Sequence, residues 1–267
     1  MSAIGLLAQS RPPDPFEAPG LEIFRPPCIA EWDVAGVHFC FDRGVLYMFL
    51  AALIVIGVFA LAASRGGLIP RGIRNLVESI VDFVREEIAI QVIGQEGRPW
   101  VPFLTSMFCF ILVGNIFGII PAIQFPVNGR IAIPAFLAAL VWVLFNAAGI
   151  KAQGVGYFKN ALFPPGVPKG MYVLLTPIEF VSTFMLRPFT LAVRLLANMM
   201  AGHLILSIFF LGTAYLLAQP STIPFAVPAF ALSVALVGFE ILVAVLQAYI
   251  FTILTAVYIA GAVHPEH

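Results

Sequence analysis

Residues 187–203 read RPFTLAVRLLANMMAGH, an apolar stretch that nevertheless carries Arg194, Asn198 and His203. A fixed positive charge at membrane depth costs about 2.5–3.5 kcal/mol on insertion scales. Such a side chain is tolerated where it faces a protein partner or a water-filled path. The stretch therefore predicts a membrane helix with a functional polar face.

The last apolar segment, residues 238–260, carries a second pair of polar side chains. Glu240 and Gln247 are separated by about two helical turns, so they lie nearly on one face of a helix. Taken together with residues 187–203, this pair predicts a route for an ion across a membrane.

The composition of the whole chain is that of a membrane protein. Of its 267 residues, 61% are hydrophobic and 10% are charged, whereas soluble domains carry about 25% charged residues. We therefore expect an all-α polytopic membrane protein. The formal net charge of zero gives no reason to expect a nucleic-acid partner. The sequence has no zinc-ligand spacing and no phosphate-binding glycine loop, so we expect no cofactor.

The expected organisation has five parts. An N-terminal arm, 1–44, precedes a first membrane helix, 45–63, which has about the 20 residues that a bilayer requires. An amphipathic helix, 71–93, is expected on the cytoplasmic membrane surface, although an ordinary helix packed between spans also fits its pattern. A transmembrane hairpin, 101–150, and two long helices within 171–263 complete the chain.

The N-terminal arm is rich in proline and aromatic residues, which predicts an irregular extramembrane segment. Its two cysteines, Cys28 and Cys40, could form a disulfide on an oxidising side of the membrane or could remain reduced thiols. Basic residues cluster after the first span and between 151 and 170, so both of these loops are expected in the cytoplasm. The arm is then outside, and the C-terminus is cytoplasmic.

The last two apolar segments are too long for perpendicular spans. As helices, Met171–Leu217 would extend about 70 Å and Pro224–Val263 about 60 Å, whereas the hydrocarbon core is about 30 Å thick. No polar turn interrupts either segment. We therefore expect two long, tilted, antiparallel helices and not four short spans.

Antiparallel packing of these helices predicts which polar groups meet. His203 should lie near Glu240 in the outer half of the membrane, and Gln247 should lie deeper, toward the level of Arg194. An imidazole and a carboxylate in contact can pass a proton. Arginine stays charged and cannot join such a relay.

No acid of this chain is an obvious ion-pair partner for Arg194, because Glu179 lies more than about 20 Å earlier along a straight helix. The partner carboxylate could therefore belong to another subunit. Structural interpretations remain open for each polar group: a helix-packing salt bridge for Arg194, a bond to a backbone carbonyl for His203, and polar contacts between helices for Asn115 and for Glu240 with Gln247.

Residues 194–203, RLLANMMAGH, together with Glu240 and the sequence LQAYIF at 246–251, resemble subunit a of the rotary F-type ATP synthases. The resemblance covers roughly residues 45–267. The long N-terminal arm and the Ala-Gly-His motif are similar to those of actinobacterial members.

The resemblance implies a non-catalytic stator subunit of the bacterial plasma membrane that carries protons through two half-channels. Protons enter from outside, load a carboxylate on a ring of c subunits, and leave to the cytoplasm after nearly a full turn. A peripheral-stalk b subunit packs on such a chain. The resemblance also assigns roles to single residues: Arg194 faces the ring, Glu179 lies near the inner exit, and the outer half-channel contains Asn115, Asn198, His203, Glu240 and Gln247.

The spacing Asn115-x-x-Gly118-x-x-Pro121 is also similar to the hairpin span of this family, but the chain departs from many relatives elsewhere. Many of them have an acid at the position of His203 and a histidine at that of Glu240, so the pair is exchanged here. Gly118 stands where some relatives have an acid, which implies a less polar outer path on that side.

Two other classes of protein are alternatives. An ion-coupled secondary transporter would also place charges inside the membrane, but such folds usually contain internal repeats, and the two halves of this sequence show none. A structural membrane scaffold would not need Arg194.

Overall fold

The computed structural model describes residues 19–20, 28–34, 37–64, 72–120, 125, 127–154, 156–163 and 169–263. In chain order its elements are β1 (Cys28–Val34), β2 (Val37–Asp42), α1 (Arg43–Ser64), α2 (Ile73–Phe83) continued by a π-helix (Val84–Ile93), a 3-10 helix (Gln95–Trp100), α3 (Val101–Ile119), a 3-10 turn (Val127–Gly129), α4 (Ala132–Gln153), α5 (Gly156–Leu162), a 3-10 turn (Lys169–Met171), α6 (Tyr172–Phe180), a second π-helix (Val181–Leu186), α7 (Arg187–Leu217) and α8 (Ile223–Val263).

Five helices in the described part of the chain are long and apolar enough to cross a membrane, which confirms the all-α polytopic fold class. They are Arg43–Ser64, Gln95–Ile119, Ala132–Gln153, Tyr172–Leu217 and Ile223–Val263. Pro121 and residues 264–267, which figured in the predicted hairpin and C-terminus, lie outside the described residues.

The N-terminal arm contains a β-hairpin. β1 and β2 pair antiparallel, with Val34 opposite Val37, and Cys28 and Cys40 form a disulfide across the two strands. The expectation of an irregular arm is therefore wrong for the two strands, because a cross-strand disulfide and a tight register provide order that a proline-rich composition does not predict.

Asp42, at the end of β2, ties this hairpin to the membrane helices. Its carboxylate accepts a hydrogen bond from the backbone N–H of Val45 at 3.0 Å, which caps the start of α1. The same carboxylate forms an ion pair with Arg130, which lies just before α4. Asp42 is only 2% exposed, so one buried acid joins the arm, the first span and the loop between α3 and α4.

The amphipathic segment after α1 has two different halves. In α2, Leu76 is 57% exposed, so part of its apolar face is not covered by this chain. In the π-helix that follows, Val84, Ile88 and Ala89 are fully buried in the main core, where they pack against α3 and α8. The segment thus combines a surface-exposed start with an end that belongs to the packed bundle.

The predicted long segment 171–217 is one continuous helix from Tyr172 to Leu217. Its π-helical portion lies between Pro177 and Pro188. Pro188 has no N–H to donate one turn back, so the regular hydrogen-bond ladder is interrupted there, and π-helical turns are typical of such places. α8 is a single helix of 41 residues that continues through Pro228, about 60 Å long.

The core lies where α3, α4, α7 and α8 meet. Its largest buried side chains include Leu104, Phe145, Leu195 and Phe251, each no more than 1% exposed. α1 lies at the side of this bundle with most of its apolar surface uncovered. The α7–α8 pair therefore packs against α3 and α4, and this packing positions the polar groups described next.

Candidate functional site

Arg194 lies in the middle of α7 and is exposed on the surface of the chain. Its neighbours on the helix, Leu191 and Leu195, are at most 2% exposed and anchor α7 in the core. Among the residues that the structure describes, none forms a hydrogen bond or an ion pair with the Arg194 guanidinium. The cation therefore points away from the bundle that holds its helix.

The pairing of α7 with α8 is antiparallel, and its register can be read from three contacts. These are Asn198 with Gln247, Gly202 with Glu240, and Thr213 with Ser233. The contacts agree with the depths expected from the sequence, because Gln247 lies one helical turn from Arg194, and Glu240 lies about two turns farther along α8 toward its start.

Asn198 and Gln247 join the two helices at the level nearest to Arg194. The Asn198 side-chain amide donates a hydrogen bond to Gln247 Oε1 at 3.2 Å. Gln247 is 4% exposed, and its Nε2 has no hydrogen-bond partner in the described part of the chain. A buried donor without a partner costs about 1–3 kcal/mol. This amide is therefore available to a water molecule or to an incoming group.

Glu240 is 6% exposed and lies against the backbone of Gly202 on α7. A Cβ at Gly202 would overlap both carboxylate oxygens of Glu240. Within the described ranges, no residue donates a hydrogen bond or forms an ion pair with this carboxylate. The glycine of the Ala-Gly-His motif thus has a packing reason that was not identified from the sequence: a residue without a side chain leaves room for the acid in its present position.

His203 is half-buried, and its ring lies close to the backbone of Gly118 on α3. It follows Gly202 in the chain and so lies at about the level of Glu240, but no hydrogen bond or ion pair joins the two side chains. Spacing along a helix predicts the level of a side chain, whereas the direction of the imidazole depends on how closely α3 approaches α7. Both interpretations of His203, a bond to a backbone carbonyl and a place in a proton relay with Glu240, therefore stay predictions.

Asn115 is fully buried and connects three elements. Its Nδ2 donates to the carbonyl of Ala244 on α8 at 3.3 Å, and its Oδ1 accepts from Asn128 Nδ2 at 2.7 Å. Asn128, which is also fully buried, was not identified from the sequence. An asparagine in the short turn of a predicted transmembrane hairpin is the signal that could have indicated it.

Glu179, which the resemblance places near the inner exit, lies toward the other end of the α6–α7 helix. Glu179 is half-buried on α6 and has no hydrogen-bond or ion-pair partner in the region that the structure covers. Arg187, at the start of α7, lies 5.5 Å from the ring centre of Tyr258 on α8. The π-helix lies between Glu179 and Arg187, and the structure brings neither residue into contact with Arg194.

Tyr157 on α5 packs beside this end of α7 and donates a hydrogen bond to Asn146 Oδ1 at 3.2 Å. Burial raises the pKa of its phenol, and the positive charge of Arg187 partly offsets this rise. The start of α7 is therefore fixed by an aromatic and polar cluster from α4, α5 and α8.

Comparison with known proteins supports the family suggested by these residues. Residues 45–260 match the family described as ATP synthase A chain. A protein of Parafrankia sp. (strain EAN1pec), named ATP synthase subunit a, is 47% identical over 94% of this chain and 85% of its own length. Proteins of the same name are 42% identical in Rhodococcus erythropolis, over 95% of this chain and 92% of that protein, and 39% identical in Pseudarthrobacter chlorophenolicus, over 100% and 99%.

Proposed function

This chain belongs to the ATP synthase A chain family, and we propose that its α7–α8 pair carries protons through two half-channels that Arg194 keeps apart. Subunit a is a non-catalytic subunit of the membrane sector of F-type ATP synthase and works in a complex with other membrane-sector subunits. This membership replaces the alternative of an ion-coupled secondary transporter.

The observation that carries the proposal is the state of Arg194. It is exposed and has no hydrogen-bond or ion-pair partner in the described part of the chain, although the helix around it is firmly packed. A charge of this kind in an apolar helix needs a partner outside the chain. We assign that partner to a carboxylate on the ring of c subunits, which meets the guanidinium as the ring turns.

The outer half-channel is assigned to the polar groups between α7 and α8, with Asn115 at its side. Glu240 takes up the proton from outside, because its carboxylate is buried and has no competing donor among the described residues. His203 lies beside it, and Asn198 with Gln247 form the floor next to Arg194. The unpartnered Nε2 of Gln247 orients a water molecule or the ring carboxylate at this point.

The inner half-channel is assigned to the α6 side of the π-helix, where Glu179 has no partner in the part of the chain that the structure describes. In this arrangement the N-terminal hairpin is outside and the C-terminus is cytoplasmic. A b subunit of the peripheral stalk completes the stator, and the membrane is the bacterial plasma membrane.

The decisive experiment replaces Arg194 with alanine and measures ATP-driven proton pumping in inside-out vesicles. We expect pumping to be abolished, passive proton leak to increase, and assembly of the complex to be unchanged. The matched control is Lys159→Ala, which removes an exposed positive charge from α5 outside the membrane helices. Normal pumping by Arg194→Ala, or an equal loss in both variants, would contradict the proposal.

A further inference from the structure

A pocket of about 660 Å³ lies between the end of α1, the π-helix after α2 and the start of α3. We propose that it binds the head group of a membrane phospholipid of the phosphatidylethanolamine class. In this assignment Arg85 and Arg98 hold the phosphate, and Glu86 holds the ammonium group. The pocket is far along the sequence from the polar groups of α7 and α8, so this proposal does not depend on the role of Arg194.

The two arginines provide the phosphate site. Arg98 is exposed, and no residue in the described ranges forms an ion pair with it. Arg85 forms an ion pair with Asp82 at 2.8 Å, but both side chains are exposed, at 44% and 62%. Exposed pairs of this kind are weak, whereas guanidinium groups bind phosphate through paired hydrogen bonds. A phosphate can therefore share or displace Asp82 at Arg85.

A second observation points to a ligand. Thr105 lines the pocket, is only 2% exposed, and its hydroxyl has no hydrogen-bond partner in the described chain. The adjacent Ser106 hydroxyl, in contrast, donates to the carbonyl of Pro102 at 2.7 Å. Buried hydroxyl groups are nearly always hydrogen-bonded. The hydroxyl oxygen is itself almost inaccessible, so a rotation of the Thr105 side chain toward the pocket would give it an ester or phosphate oxygen as the acceptor that the chain lacks.

The location of the pocket favours a lipid over a free ion. Phe59 belongs to the last turns of α1, and Val101 begins α3, so the pocket opens where two membrane helices meet water. About one helical turn before Phe59, Ile56 of α1 is 64% exposed and offers an apolar surface for an acyl chain. Basic pockets between helices at this level are typical of sites for phospholipid head groups.

Glu86 decides the class of lipid. A carboxylate in the lining opposes a head group with net negative charge, but it can accept a hydrogen bond from a primary ammonium. The pattern of two cations and one anion thus matches a head group that carries one phosphate and one amine. We therefore expect phosphatidylethanolamine to be preferred over phosphatidylglycerol.

The test uses the intact ATP synthase complex in mixed micelles that contain equal amounts of the two lipids. The retained lipid is quantified by mass spectrometry after detergent washing. We expect the wild type to retain phosphatidylethanolamine, and we expect Arg98→Gln to retain about tenfold less, as for the loss of a charge-assisted hydrogen bond. Lys151→Gln, which removes an exposed charge from the end of α4, should retain the wild-type amount.

Two further variants separate the parts of the site. Glu86→Gln should shift the preference toward phosphatidylglycerol, because the opposing charge is gone. Thr105→Val keeps the shape of the side chain and removes the hydroxyl, so it should weaken retention without lowering the thermal midpoint of the complex. Preference of the wild type for phosphatidylglycerol, or equal retention by wild type and Arg98→Gln, would overturn the proposal.

A photo-crosslinker identifies the occupant directly. With p-benzoylphenylalanine placed at Phe59, which lines the pocket, illumination should attach a phospholipid to this chain. Inorganic phosphate at millimolar concentration should not prevent the attachment. Crosslinks only to a protein subunit would overturn the proposal in favour of a protein partner, and displacement of the lipid by inorganic phosphate would overturn it in favour of a free-anion site.

Discussion

Two carboxylates of this chain are almost equally buried and have opposite surroundings. Asp42 is 2% exposed and is bound by the N–H of Val45 and by Arg130. Glu240 is 6% exposed and has no hydrogen-bond or ion-pair partner among the described residues. Burial alone therefore does not distinguish a structural acid from a functional one. An acid with partners fixes its surroundings, whereas an acid without them in a membrane helix is costly and indicates function.

The largest effect is expected when each acid becomes the isosteric amide. Glu240→Gln cannot release a proton, so we expect ATP-driven proton pumping to fall by about 100-fold or more, as for the loss of an acid–base group. Asp42→Asn is the matched control and should pump nearly normally, because Asp42 lies outside the proposed path. Fluorescence quenching in inside-out vesicles measures both rates.

A titratable side chain of another length should restore part of the function at the same position. Glu240→Asp should therefore pump faster than Glu240→Gln, although its carboxylate is displaced. Equal pumping by Glu240→Gln and the wild type would remove the distinction between the two acids.

The second prediction concerns stability, for which Asp42 should matter more than Glu240. Asp42→Ala removes both the helix cap and the partner of Arg130, so we expect the free energy of unfolding to fall by about 1–3 kcal/mol. Glu240→Ala removes no hydrogen bond and should lower the free energy of unfolding by less. Both values come from thermal unfolding of the purified complex, in which the resistance of this subunit to proteolysis serves as the readout. A larger destabilisation by Glu240→Ala would mean that Glu240 has structural partners after all.

The sequence predicted the level of Glu240 but not its surroundings. The depth of Glu240 and Gln247 follows from a rise of 1.5 Å per residue and from antiparallel packing, and the contact of Asn198 with Gln247 is consistent with it. The direction of His203 was not predictable, because it depends on the approach of Gly118 on α3. Helical periodicity describes one helix and contains no information on how three helices rotate against each other.

The structural acid was missed for a related reason. The composition of the arm predicted irregular structure, whereas strands 28–34 and 37–42 pair with each other, and the second strand ends at Asp42. Its order depends on a disulfide and on an ion pair with Arg130, which is distant in the sequence. Long-range partners of this kind leave no local pattern. The five membrane helices, in contrast, follow from local hydrophobicity and were predictable.

The third prediction changes the space around Glu240 and not the acid itself. Gly202→Ala would push the carboxylate from its place, because an added Cβ overlaps both of its oxygens. The end of a flexible side chain can move, so we expect about 1 kcal/mol of destabilisation or less together with a clear fall in proton pumping. The matched control is Gly238→Ala, where an added Cβ on α8 meets no atom within 4 Å. Equal pumping by the two variants would show that the position of the carboxylate does not matter.

The smallest effect on proton pumping is expected from the disulfide, which supports the same hairpin as Asp42 but lies farther from the membrane helices. Cys28→Ser with Cys40→Ser should leave pumping close to that of the wild type.

The wild-type cysteines also report the side of the membrane on which the arm lies. After mild reduction, a membrane-impermeant maleimide should label them in right-side-out vesicles and not in inside-out vesicles. The double serine variant retains only Cys109, which is 7% exposed within α3, and should remain unlabelled in both. Labelling of the wild type from the cytoplasmic side would reverse the proposed orientation, and the half-channel that contains Glu240 would then open to the cytoplasm.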